Sequence, residues 1–131
     1  MKRNSRLSLA LHTLGHMAGD QERMWTSSDI ANHAGTNPVV VRRVLGKLRN
    51  AGLLVSEKGH AGGWRLARSP HQITLADVYI ALDETLIASP SKEVAPKCSV
   101  EHALHRKVAL VLEDVERGLI ERLAGTTIAE V

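Results

Sequence analysis

Apolar positions repeat at helical spacing through most of the chain and switch to alternation only once. Leu7, Leu11, Leu14 and Ala18 stand three or four apart, and Ala10 and Met17 widen the stripe, which predicts a buried amphipathic helix over 5–18. Gly19-Asp20 ends it. Trp25 packs ahead of an N-cap at Thr26 or Ser27, and Asp29 places a carboxylate in the first turn of a short helix. Ile30, Ala31 and Ala34 face inward on that helix, which stops at Gly35. A second start follows, with Asn37 as cap and Pro38 in the first helical position, where its missing N–H costs nothing. Val41, Val44, Leu45 and Leu48 then form a core face, and Gly52 occupies the position just past the helix end. Val39-Val40-Val41 is a weak helix start by propensity, so tertiary packing must hold it.

Alternation appears at Leu53–Glu57 and Trp64–Ala67, on either side of Lys58–Gly63, and predicts a hairpin whose turn the glycines permit. Ser69-Pro70 breaks it. Thr74 and Asp77 have the spacing of a cap and its N3 partner, and predict a helix to about Leu82 with Leu75, Val78 and Leu82 inward. Residues 88–97 lack periodicity and read as a loop. From Val100 to Leu123, an apolar seam of Leu104, Val108, Val111, Leu112, Val115, Leu119 and Leu123 runs on spacings of three and four. One helix cannot bury so long a seam alone. It should pack on its own domain on one side and on a second copy on the other. No internal repeat or low-complexity tract interrupts this order.

The expected fold is therefore mainly α with a small β-hairpin: a winged helix-turn-helix domain over 1–84, a linker or sensor loop over 85–99, and a dimerisation helix with its tail over 100–131. At 131 residues the chain has room for one domain with a core and an appended element. No apolar run reaches the roughly 18 residues of a membrane span, and no signal-peptide cleavage pattern follows the basic start. The single cysteine, Cys98, excludes an intrachain disulfide and fits a reducing cytoplasm.

Charge changes the picture more. The net charge is +3, yet residues 38–71 hold seven Lys and Arg against Glu57 alone, while residues 72–131 hold six against ten Asp and Glu. A basic middle beside an acidic C-terminal part is the footprint of a polyanion-binding module joined to something else. Helix 37–51 is placed to enter a DNA major groove by its N-terminal end. Arg42 or Arg43 can donate two hydrogen bonds to a guanine edge, and Val39 or Val40 can touch a thymine methyl. Thr36 and Asn37 lie on the same outer face. Lys47, Ser27 and Ser28 would hold phosphates. Lys58 and His60 at the hairpin tip suit a minor groove, and Arg65 the backbone.

The runs GTNPVVVRRVLGKLRNAGL, GLLVSEKGHAGGWRLAR and ITLADVYIAL, with the opening LALHTLGHMA and the closing TTIAEV, resemble the IscR/NsrR-type family of bacterial winged-helix regulators across nearly the whole chain. Gly62-Gly63-Trp64-Arg65-Leu66 is similar to that family's glycine-rich wing tip and aromatic-Arg-Leu strand. The resemblance implies a homodimer crossed through the long helix on a palindromic operator, acting as a repressor, with Val39, Val40, Arg42, Arg43 and Lys58 as contacts.

Iron–sulfur members of that family carry three cysteines before the long helix, and this chain has one. A single thiol per chain disfavours a cluster, and no cofactor is expected. Three readings of Cys98 stand side by side. It is a sensor thiol activated at a helix start with His102 and His105 nearby, one ligand of a mixed site with those histidines, or a small structural residue. His12 and His16 share a face of the first helix and read as ordinary solvated or core histidines. A protein–protein winged helix is one alternative function, and a regulator sensing through a metal or small ligand instead of the thiol is the other. With no phosphate loop, HExxH or G-x-S-x-G elbow, an enzyme is not expected.

Overall fold

The computed structural model describes residues 5–58, 63–83 and 99–130. Helix α1 (Ser5–Gly19) runs through the centre, and the buried side chains of every other element except the long C-terminal helix gather around it. Its buried stripe is Leu9, Ala10, Thr13, Leu14 and Met17, with Leu7, Leu11 and Ala18 on the flanks. The stripe is thus turned from the one expected, because Thr13 lies inside. Its hydroxyl donates to the Leu9 carbonyl at 2.8 Å, so the polar group is satisfied within the helix and can be buried.

Local chemistry sets the next two helices. Thr26 caps α2 (Ser27–Ala34) by accepting the Asp29 N–H, and Gly35 ends it at φ +69°. Asn37 caps α3 (Pro38–Asn50), its Oδ1 accepting the Val40 N–H at 3.1 Å. The end of α3 is a Schellman motif. The Gly52 N–H donates to Arg49 and the Leu53 N–H to Leu48, with Gly52 at φ +80°. Leu48 and Leu53 are both buried at that closure. All four expected core residues of α3 are inside, none more than 1% exposed.

Strands β1 (Leu54–Glu57) and β2 (Gly63–Leu66) pair antiparallel, Leu54 opposite Leu66 and Glu57 opposite Gly63. Each starts or stops one residue from the expected bounds, and the Ala67 N–H still donates to Leu53. Trp25 adds a single bridge to Trp64 on the open side of β2. A short 3-10 turn at Pro70–Gln72 leads to α4 (Leu75–Ala81), which opens with the expected capping box between Thr74 and Asp77. Its inward set is Ala76, Val78, Tyr79 and Leu82, with Leu75 half-buried.

Helix α5 (Ser99–Leu123) contains no buried residue over 25 positions. Beyond it the chain returns to the first domain. The Leu75 N–H donates to Thr126, the Ile128 N–H donates to Ile73, and Ile128 sits 2% exposed in the common core. The segment after α5 is thereby tied to the domain around α1, and α4 packs against α5.

Candidate nucleic-acid interface

The amphipathic pattern of α3 creates the interface. Because Val41, Val44, Leu45 and Leu48 take the inner side, residues between them are forced outward. Val39 is 56% exposed, and Arg42 and Arg43 are exposed beside it. Neither arginine has an ion-pair or hydrogen-bond partner among the described residues, so both guanidinium groups retain their donors. Thr36 and Val40 are half-buried and Asn37 is exposed, but the Asn37 oxygen is committed to the cap.

The remaining expected contacts separate. Ser28 is exposed in the first turn of α2, whereas Ser27 is half-buried and its Oγ accepts the Trp64 indole N–H at 3.0 Å. Lys47 is half-buried and turns its ammonium toward the Leu82 carbonyl, 3.5 Å away, at the end of α4. That orientation sets it apart from Arg42 and Arg43. Lys58 is exposed at the end of β1. Arg65 is exposed on β2 but lies 3.4 Å from Glu57 across the hairpin, which offsets part of its charge. His60 and Cys98 lie outside the described residues. His102 and His105 are exposed near the start of α5.

The structure adds groups that the sequence did not bring together. His16 lies 4.5 Å from His12 and 5.4 Å from His33 of α2, ring centre to ring centre, with Trp25 against both His16 and His33. Burial, then the charges of His16 and His33, hold the His12 imidazole below its ordinary pKa. The Trp25 indole N–H is buried without a partner among the described residues. Arg23 stacks over Trp25 at 4.0 Å and pairs with Asp29 at 3.6 Å. The Thr26 side chain, and then Arg23, lower the Asp29 carboxyl. Arg49 reaches Ser56 at 3.2 Å and lies over the Trp64 ring. The His12–His16 pair follows from its helical spacing, but only contact across the fold could bring His33, Trp25 and the Arg49–Ser56–Trp64 group together.

The Rrf2 family model, described as an iron-dependent transcriptional regulator, matches residues 3–131. The chain belongs to the Rrf2 family. It is 36% identical over 131 residues to YwnA of Bacillus subtilis, assigned as an HTH-type transcriptional regulator, across 98% of this chain and 95% of YwnA. It is 32% identical over 83 residues to the transcriptional regulator IscR of Vibrio campbellii, which covers 63% of this chain but 45% of IscR. A crystal structure assigned as a DNA-binding protein superposes with a TM-score of 0.75 at 30% identity, across 95% of this chain and 97% of that one. This Rrf2 protein is a winged-helix, DNA-binding transcriptional regulator and not an enzyme.

The family description invokes iron. An iron–sulfur cluster takes several soft ligands, and this chain has one cysteine. Among the described residues no group of three His, Cys, Asp or Glu side chains could hold a metal ion. No helix among them is long and apolar enough to cross a membrane.

Proposed function

We propose that this Rrf2 regulator binds a palindromic operator as a homodimer and represses the genes beside it. The observation that carries the reading is the division of α3, whose apolar face is sealed while Val39, Arg42 and Arg43 stand bare on the other. Bare arginines on a groove-sized helix suit base edges, and the backbone N–H groups at the start of α2 suit phosphate. Dimerisation is supported by α5, where Leu104, Val108, Val111 and Val115 are 52–61% exposed along one seam. Such a row of apolar side chains is stable in water when a second copy covers it. The two reading helices would then meet half-sites about one helical turn of DNA apart, or a multiple of it.

Cys98 is the residue we assign as the switch, because the chain's only thiol falls between the reading domain and α5 in sequence. Added bulk there would tilt the two domains and spoil half-site spacing. The reading is tested by footprinting the reduced protein on its own promoter, followed by diamide treatment of the wild type and of Cys98→Ser. Two symmetric protected half-sites, lost on oxidation only in the wild type, are expected. Protection of a single site would overturn the dimer, and equal loss in the Ser variant would overturn the thiol.

A further inference from the structure

Trp64 belongs to the wing, yet its polar edge is spent on the first residue of α2. Its backbone pairs with Trp25 in both directions, at 2.7 and 3.0 Å. Gly63 makes that approach feasible: its φ is +153°, and a Cβ there would lie 2.6 Å from the Trp25 carbonyl oxygen. Trp64 is 7% exposed, with the Arg49 guanidinium 5.7 Å from the centre of its ring. Its N–H therefore needs an acceptor inside the protein, and the Ser27 oxygen, at 3.0 Å, is that acceptor.

The consequence falls on Ser27. A hydroxyl has one hydrogen to give and two lone pairs to receive. With the indole directed at one lone pair, the hydrogen must point elsewhere. Ser27 opens α2, so the residue four back, Arg23, precedes the helix and offers no helical carbonyl for the usual back-bond. Among the described residues the Ser27 hydroxyl has no acceptor. A donor that already receives a hydrogen bond is also a stronger donor.

We propose that Trp64 is a positioning residue for DNA binding: its indole N–H fixes the Ser27 hydroxyl as an outward donor to a backbone phosphate at the start of α2. The inference rests on the DNA reading given above and deepens it. It makes the wing contribute to affinity through its base as well as its tip. Because phosphate carries no sequence information, the contribution is the same on any duplex.

The test is a double-variant cycle on a promoter duplex and an unrelated duplex, using Ser27→Ala, Trp64→Phe, the pair together, and Ser27→Thr. Each single change should weaken both duplexes by about tenfold, the size expected for a hydrogen bond to a charged group. The double variant should be no weaker than either single one, and Ser27→Thr should stay within about twofold of wild type. Multiplying effects, or an unchanged Ser27→Ala, would overturn the proposal and leave Trp64 a core residue. Should Trp64→Phe fail to fold, the indole ¹⁵N–¹H resonance of Trp64 decides. It should move on adding duplex to wild type and stay still in Ser27→Ala, and movement in both overturns the coupling. Failure of the wild type itself to bind any duplex at low salt would sink the DNA reading, and is seen before any variant is made.

Discussion

Helices α3 and α5 carry the same kind of apolar periodicity and meet opposite fates. In α3 the apolar face is closed by its own chain and the cationic face is bare. In α5 the apolar face itself is bare, with Val108 at 58% and Val111 at 61% exposed, while Leu112, Leu119 and Leu123 are half-buried. Periodicity states that a face must be covered and leaves open by what. The surface left over is then cationic on α3 and apolar on α5, and the proposed partners, a polyanion and a second copy of the helix, match that chemistry.

The largest effect is expected where the comparison is structural. Leu45→Ala empties the sealed face of α3 and should cost about 2–5 kcal/mol in denaturant unfolding, a large fraction of the stability of an ordinary domain. Val111→Glu should leave thermal unfolding of the winged domain nearly unchanged but yield a monomer by sedimentation, with duplex affinity down roughly 100-fold as two half-sites cease to act together. A dimeric Val111→Glu protein would break the contrast between the helices. Arg42→Ala and Arg43→Ala should keep the dimer and each weaken operator binding by about 1–3 kcal/mol, chiefly at one base position if the contact is to a base edge.

The smallest effect concerns acid. The folded-state pKa of His12 lies below its unfolded value, so the unfolded chain binds more protons as pH falls through the ordinary histidine range near 6.5. Stability should therefore fall from pH 7 toward 5. His12→Gln should flatten that fall by on the order of 1–2 °C in Tm, since the exposed ring is screened by solvent. An unchanged pH profile would remove His12 from the account.

What was legible in the sequence was local. Thr26, Asn37, Gly35, Gly52 and the Thr74–Asp77 box act within four residues of themselves, so spacing alone exposed them. The core face of α3 was legible because every member is apolar. The phase of α1 was not, since Thr13 is buried only by virtue of its bond to Leu9. The docking of Ile128 depends on pairing between Thr74 and Thr127, more than fifty residues apart, and no local pattern encodes it. The same holds within the candidate interface. Outward positions on α3 followed from its inner face, but the Ser27–Trp64 bond, the turn of Lys47 to Leu82 and the arrival of His33 beside His16 are tertiary events.

The central claim is that the bare face of α3 reads DNA. The most direct measurement is duplex affinity over genomic fragments that include the protein's own promoter, titrated with salt, for wild type and the Arg42→Ala/Arg43→Ala variant. The account predicts selective binding with a steep salt dependence, and loss of selectivity in the variant while dimerisation persists. Equal affinity of the two proteins for every fragment would contradict it.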